Sequence, residues 1–548
     1  MKIKIFLLGV LLSFWTVAVW GGEKKSLVIM LDGMRSDVMF SASTPNIDSL
    51  IDGSWADGYR GTWTYQAHTN LDSPPSSATN HVAIATGVTA TKNNVFNNGE
   101  IHQGKYDEFP SYLEILKKAQ PELITAWLHN WTEDADIRTL ANYQKLIKDL
   151  PGFEIDMKLV DEAVQILDGT FPTTEGISNT KWEKGWDIDC LMLYLDSMDM
   201  FGHGNGFSVF IEPYFEKMTT YDAQIGRLLD AIRRRPNFST ENWQIIVVSD
   251  HGGYKTTHGI VGCENCYTIP LVVSSKDVPS GRMKGQPQNC SVAAYVLEHM
   301  IGQIPEYFDG KTFDVHQDAE PNIQNGLIVY LPFENNFNDF CKNAKIEKSN
   351  LPIALIDGGI NGKCAQFEKE GAFLSLGKPD ILDINSTKGF SATLWFKANG
   401  NQKGDPVLLS NKDWASGKNP GFVLAANLNN EGTSATFNLS NGDIRDDLNP
   451  MDYPADQWMF FAITVDLTGN AAFYLGDQNG RLAFISDDIS DEKELNALEW
   501  VIGNDGTKKY PCSLNGSVDE LGIWNRELLL NEVNAVYQKG IQGIPLMK

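Results

Sequence analysis

The chain has 548 residues, 42% of them hydrophobic and 21% charged. That composition excludes wholesale disorder, and the length exceeds what one core can serve, so two or three domains are expected. The formal net charge of −25 excludes a nucleic-acid duplex as partner, because proteins that grip a phosphate backbone carry a basic footprint, whereas a phosphorylated small molecule stays open, since a bound cation reverses the local field.

The N-terminus reads Met1-Lys2-Ile3-Lys4, runs mostly apolar from Ile5 to Trp20, and turns polar at Gly21-Gly22-Glu23-Lys24-Lys25. A basic end before a short apolar run predicts a secretory signal over residues 1–22, cleaved between Val17 and Gly22. An uncleaved anchor is the competing reading, but the run is short for a bilayer and no second one follows. The cleaved chain is expected to carry no stable membrane span and to be exported, whether periplasmic, at the cell surface or secreted. Export lets the seven cysteines persist as disulfides. Cys263 and Cys266 are near enough to pair, Cys341 and Cys364 flank a short segment, and Cys190 reads as a buried free thiol. A zinc site at Cys263 and Cys266 lacks a second pair at suitable spacing.

Residues 26–275 alternate apolar runs with amphipathic stretches, the pattern of an α/β domain on a mostly parallel sheet, and that domain is placed at residues 23–313. Strands are predicted at Ser26–Leu31, Leu123–Leu128, Cys190–Leu195, Gln244–Ser249 and Pro270–Val273, all nearly continuously apolar, as strands covered on both faces should be. Ile211, Tyr214, Phe215, Met218, Tyr221, Ile225, Leu228, Leu229 and Ile232 recur at helical spacing. That helix ends at Arg233-Arg234-Arg235-Pro236, read as a charged final turn stopped by proline.

Residues 314–325 are a polar linker. Across 326–548 short β-like runs separated by Gly, Asn and Asp predict an all-β sandwich. They are Leu327–Pro332, Ala372–Leu376, Phe390–Lys397, Phe422–Leu428, Trp458–Asp466, Asn470–Leu475, Leu498–Ile502 and Asp519–Trp524.

In open α/β sheets the ligand site lies beyond the carboxyl ends of the strands. There stand Leu31-Asp32-Gly33, the Asp199-Met200-Phe201-Gly202-His203 loop, and Ser249-Asp250-His251-Gly252-Gly253 with His258 beyond. Taken singly, each Asp reads as a turn or cap. Asp32, Asp199 and Asp250 beside His203, His251 and His258, with Ser77, make the ligand set of two zinc ions sharing a hydrolytic site. Serine needs its hydroxyl activated, which coordination achieves, and Ser77 precedes a helix whose N-terminus suits a phosphate. Alone it reads as a helix cap.

Ser77-Ala78-Thr79-Asn80-His81-Val82-Ala83-Ile84-Ala85-Thr86-Gly87 resembles the nucleophile segment of the alkaline phosphatase superfamily, most closely its nucleotide pyrophosphatase/phosphodiesterase branch. There a Thr or Ser stands three residues before Asn-His. The resemblance spans about residues 24–312 and implies an alkaline-phosphatase-like fold. By it Asn98 contacts the phosphoryl oxygen, Asp199, His203 and a later His hold one zinc, and Asp32, Ser77, Asp250 and His251 hold the other. The best-known members take the last histidine from farther downstream. Here His258-Gly259 follows closely, as in other superfamily members, and His299 and His316 read as helix and linker residues, so His258 is assigned. His81 is expected to support the nucleophile segment, and His68, His102 and His129 to be surface or core. The spacing selects Asp199 over Asp196.

The Cys-or-Ser, Pro, Arg motif of sulfatases is absent. So is the Lys-x-Arg clamp of some phosphomonoesterases between Trp131 and Trp186, which favours diesters or pyrophosphates unless Arg35 or Arg138 serves instead. The second domain resembles laminin-G-like, concanavalin-like sandwiches at Ala392-Thr393-Leu394-Trp395-Phe396 and Val518–Leu528, with Gly359-Ile360-Asn361-Gly362 as a turn. That family often binds glycans and is often merely structural.

The resulting expectation is an exported two-zinc hydrolase of phosphodiester or pyrophosphate bonds in a nucleotide-like or other phosphorylated small molecule, working through a phosphoseryl intermediate. The alternatives are a phosphomonoesterase of the same superfamily and a glycan-binding protein with a scaffold catalytic half.

Overall fold

The computed structural model describes residues 22–148, 152–171, 187–317, 320–387, 389–400, 402, 404–429, 432–467, 469–489, 495, 498–512 and 514–547. The expected signal segment therefore lies outside the described residues, apart from Gly22. Among the described residues no helix is long and apolar enough to cross a membrane.

The N-terminal half is built on nine strands: β1 (Glu23–Leu31), β2 (Arg60–His68), β3 (Thr125–His129), β4 (Tyr143–Leu146), β5 (Cys190–Leu195), β6 (Glu241–Val248), β7 (Thr268–Ser275), β8 (Gly281–Met283) and β9 (Val315–His316). Their order is β4-β3-β5-β1-β6-β7-β2-β8-β9. From β4 through β6 every neighbouring pair is parallel, while β7 is antiparallel to both β6 and β2. The five predicted strands all appear; β2, β4, β8 and β9 are additional. β9 falls within the expected linker, where Val315 and His316 pair with Met283 and Arg282 and complete the sheet. Pro270 sits inside β7 without breaking it. The β2–β7 register shifts between Thr64 and Ala67, opposite this proline, where the missing N–H would leave a rung unmade.

Alternation along β1 assigns its side chains to two cores. Leu27, Ile29 and Leu31 join one with Ile225, Leu228 and Leu229 of the helix Glu212–Arg233. Val28 and Met30 join the other with Val82 and Ile84 of the helix Ser77–Thr86. The arginines at the end of the long helix are more than a solvated turn. Arg235 is buried, with its guanidinium on Glu241 and Asp187.

Among the described residues the C-terminal half forms two antiparallel sheets of eight and seven strands. The predicted runs are present, and Gly358 and Gly359 donate to Gly362 in the turn joining Ile353–Asp357 to Lys363–Phe367. A helix, Leu530–Ile541, packs Tyr537 on Trp395 with ring centroids 5.9 Å apart. The halves touch directly: Ser41 Oγ donates to Leu482 O and accepts from Leu482 N, at 3.1 and 3.0 Å. Arg481 pairs with Glu212. All seven cysteines are free thiols, so Cys263 and Cys266 do not form the expected disulfide, nor do Cys341 and Cys364.

Candidate metal centre

Parallel pairing brings the ends of three central strands to one edge, with Leu31 beside Leu195 and Met30 beside Val248. Asp32 follows β1 at once, and its N–H bonds Leu195 O at 2.9 Å. Ser249, leaving β6, ties the turn together: its Oγ donates to Leu31 O and His251 O and accepts from Met34 N. Gly252-Gly253 then bend the chain, so that Asp250 and His251 both reach the site. Gly33 is held at φ +68°, and a Cβ there would meet Asp199 Cα at 2.7 Å. The close approach of the second ligand segment thus requires glycine.

Two groups of ligand atoms result, each within 4.8 Å: Asp32, Asp250 and His251, all buried, and Asp199, His203 and His258, more exposed. Asp199 and His203 lie on the helix Ser197–Asn205, where a spacing of four stacks them on one face. The imidazoles share one arrangement. Each Nδ1 lies against a carbonyl that can only accept: His203 on Thr256 O at 2.9 Å, His251 on Gly252 O at 2.8 Å, His258 on Pro75 O at 3.1 Å. Each ring therefore keeps a proton on Nδ1 and aims Nε2 into the site, where it could bind a metal.

His251 Nε2 lies 3.2 Å from Asp250 and 3.4 Å from Asp32. His203 Nε2 lies 3.2 Å and His258 Nε2 3.6 Å from Asp199. The rings of His251 and His258 stack with centroids 3.8 Å apart, linking the groups. Asp32 Oδ1, Asp199 Oδ1 and Asp250 Oδ2 are buried with no hydrogen-bond partner, which natural structures rarely tolerate without a ligand. These donors, carboxylate oxygen and imidazole nitrogen, suit zinc.

Ser77 opens its helix with Oγ 3.2 Å from His251 Nε2. Asn98 accepts from Ala78 N at 3.0 Å through Oδ1; among the described residues nothing engages its Nδ2, which stays available to a phosphoryl oxygen. Asn80 fixes the segment by accepting from Asn70 N and Asn289 Nδ2, while Asn289 also donates to Asp250 O.

His81 reaches farther than the nucleophile segment. Its Nδ1 is 2.8 Å from Asp134, and its Nε2 is 3.3 Å from Asp250 and 3.6 Å from Asp32. Burial opposes its charge, yet Asp134, Asp250 and Asp32 outweigh that and raise its pKa well above the ordinary imidazole range. Asp32, Asp134 and Asp250 thus crowd carboxylates around His81 and His251, a setting in which a divalent cation would offset the negative charge. Tyr194 donates to the second oxygen of Asp32 at 2.5 Å.

Burial and the neighbouring His251 lower His258 to about 4, against the pull of Asp199 and Asp32. The hydrogen bond to Asp199 raises His203 to about 9 despite partial burial. Asp196, raised to about 8 by burial, Asp156 and Asp32, belongs to neither group. His299 bonds Asn242 O on a distant helix face, and His316 lies in β9.

Arg35 bonds Asp37 and the carbonyls of Phe207 and Gly253. Arg138 is engaged by Glu114, Asp107 and Tyr106 O. Both arginines are thus committed away from a phosphate. The stretch from Trp131 to Trp186, where the sequence offers no Lys-x-Arg clamp, includes residues 149–151 and 172–186, which lie outside the described residues.

Residues 26–322 match the family model described as type I phosphodiesterase / nucleotide pyrophosphatase. Residues 371–534 match the concanavalin A-like lectin/glucanases superfamily. No curated protein matches the chain. Among solved structures, the binding domain of Paraclostridial mosquitocidal protein 1 is similar at 16% identity and a TM-score of 0.32, over 39% of this chain and 52% of that one. The receptor-binding domain of botulinum neurotoxin D gives 18% and 0.32 over 40% and 53%. Domain 4 of an extracellular arabinanase from Geobacillus stearothermophilus, solved with arabinotriose, gives 20% and 0.29 over 38% and 97%. The chain spans about half the length of the toxin domains it matches.

Proposed function

The chain belongs to the type I phosphodiesterase / nucleotide pyrophosphatase family, and we propose that it is a phosphoester hydrolase that cleaves phosphodiester or pyrophosphate bonds with Ser77 as nucleophile and two zinc ions as cofactors. The observation that carries this is the contact of Ser77 with His251, which is grouped with Asp32 and Asp250, alongside the second group of Asp199, His203 and His258.

Asp32, Asp250 and His251 would hold one zinc ion and Asp199, His203 and His258 the other, and the metal would supply Lewis acidity for the Ser77 hydroxyl and the phosphoryl charge. Ser77 Oγ attacks phosphorus as the P–O bond on the far side breaks, its proton passing to solvent while the departing alkoxide or phosphate oxygen takes one up. Water then attacks the phosphoseryl ester and restores the serine hydroxyl. Asn98 Nδ2 holds a phosphoryl oxygen, and the first N–H groups of the helix Ser77–Thr86 face the same charge. His81, clamped by Asp134, keeps Asp32 and Asp250 aimed inward.

The committed state of Arg35 and Arg138 supports a diester or pyrophosphate over a monoester, whose extra charge calls for a cationic clamp. Export is part of the same proposal and rests on the N-terminal run. Glycan binding by the second domain rests on its superfamily match. A scaffold role for the first domain fits poorly with ligand atoms kept buried and unsatisfied. Hydrolysis of bis(p-nitrophenyl) phosphate by the zinc-loaded protein, set against Ser77→Ala, tests the proposal.

A further inference from the structure

A cavity of about 600 Å³ opens where β2 and β8 of the first half face the sandwich. It lies apart from the metal centre, and neither ligand group, Ser77 nor Asn98 lines it. Trp63 and Tyr65 of β2 and Arg282 of β8 form one side; Asn470 and Tyr474 of the strand Asn470–Gly476, with Glu527, form the other.

A run of aromatic rings crosses the junction and joins the two sides. Trp63 meets Tyr65 at 5.4 Å, Tyr65 meets Phe40 at 5.2 Å, and Phe40 meets Phe484 at 5.7 Å, all edge-on. Phe484 then meets Tyr474 at 6.0 Å. Edge-to-face rings at these separations attract one another beyond the area they bury. Both ends of the run, Trp63 with Tyr65 and Tyr474, line the cavity. Its two sides are therefore held in register by packing that belongs to neither half alone.

Polar groups on both sides lack protein partners. Among the described residues nothing accepts from the Trp63 indole N–H and nothing donates to the Glu527 carboxylate, and both side chains are half-buried. Asn470 Oδ1 is buried and likewise unsatisfied. Buried acceptors without a protein partner mark places where a ligand or water completes the bonding.

The charges around the cavity select against an ion. Burial and Asp466 raise Glu527 to about 7, while Arg282 pulls it down. Tyr474 also feels both Glu527 and Arg282, which places the three around one space. A cation is repelled by Arg282, and an anion by Asp466 and Glu527. The ligand that fits is neutral, carries hydroxyl groups that both donate and accept, and has an apolar face to lie on an aromatic ring. A sugar ring has all three properties, and the volume and junction position are those of small-ligand pockets.

Resting on the glycan binding proposed above, we propose that this junction cavity is the saccharide site, that it takes a neutral sugar ring stacked on Trp63 with hydroxyls on Glu527 and Asn470, and that both halves of the chain are needed to form it. Strand β2 of the hydrolase half then supplies one side of the binding site.

Isothermal titration of the full zinc-loaded chain uses maltotriose, cellotriose, xylotriose and triacetylchitotriose as neutral probes, with choline and trigalacturonate as charged ones. At least one neutral trisaccharide is expected to bind at one site per chain, more tightly than either charged probe. Trp63→Ala is expected to weaken that binding about tenfold through the lost ring. Glu527→Gln, which keeps size and shape, is expected to weaken it about tenfold or more through the lost charge-assisted acceptor. Thermal melting identifies a variant that fails to fold, and Glu527→Gln decides the matter where Trp63→Ala does so. Full-strength binding by either folded variant overturns the junction site and leaves glycan binding elsewhere on the sandwich standing. No binding of any neutral probe overturns the site and the glycan reading together, and tighter binding of choline or trigalacturonate overturns the neutral ligand class.

Discussion

Ser77 Oγ stands 3.2 Å from Nε2 of His251, across 174 residues of chain. The contact depends on a sheet register and a buried amide bridge. β6 delivers His251 beside the end of β1, while Asn289 joins Asn80 of the serine helix to the Asp250 carbonyl.

The first prediction concerns zinc and pH. With Asp199 hydrogen-bonded to it, His203 holds its proton up to about pH 9 in the metal-free protein. Zinc must displace that proton below this pH and displaces none above it. Apparent zinc affinity at the Asp199 group is therefore expected to rise about tenfold per pH unit from 7 toward 9 and then level off. Competition titrations with a chromophoric chelator across that range check it; a flat profile contradicts the arrangement.

His203→Ala and His258→Ala should each remove one of two bound zinc ions and leave the other. Metal analysis of dialysed protein reads this directly. Because the Asp32, Asp250 and His251 group is complete without them, loss of both ions from either variant would mean that the groups are not separate sites.

Removing His81 leaves Asp134 as a buried unpaired carboxylate and releases Asp32 and Asp250. His81→Ala is expected to cost about 3–5 kcal/mol of stability and about 10–100-fold in zinc affinity. Denaturant unfolding and metal titration measure the two effects. A stable variant with normal zinc binding would reduce His81 to packing.

Gly33→Ala introduces a Cβ that meets the Asp199 backbone at 2.7 Å, at a φ of +68°. A cost of roughly 1–3 kcal/mol is expected from the backbone alone, with weakened zinc at the Asp199 group and less effect on the Asp32 group. Melting and zinc stoichiometry together detect it; unaltered zinc binding would show that Asp199 can reposition.

The central strands were legible because β1, β5 and β6 are covered on both faces and so read as unbroken apolar runs. β2 carries Arg60, Thr62, Thr64 and Gln66 on half its positions and gave no such run, and the polar strand Arg445–Tyr453 escaped for the same reason. The residues of the two Asp/His groups were legible from chemical type and place at strand ends. Their supports were not: Tyr194 is 162 residues from Asp32 and Asp134 is 53 from His81, and no local spacing marks a tyrosine or an aspartate for such a role. The cysteine expectation failed because spacing alone carries no geometry, and disulfides require it.

The most direct test is chemical trapping on Ser77. Zinc-loaded protein is mixed with excess bis(p-nitrophenyl) phosphate, acid-quenched within the first turnovers, digested and analysed by mass spectrometry, with Ser77→Ala in parallel. The expected result is a p-nitrophenylphosphoryl group on the Ser77 peptide of the wild type and a turnover loss of about a thousandfold or more in the alanine variant. Full turnover by Ser77→Ala, with no adduct on the wild-type peptide, would contradict serine as the nucleophile.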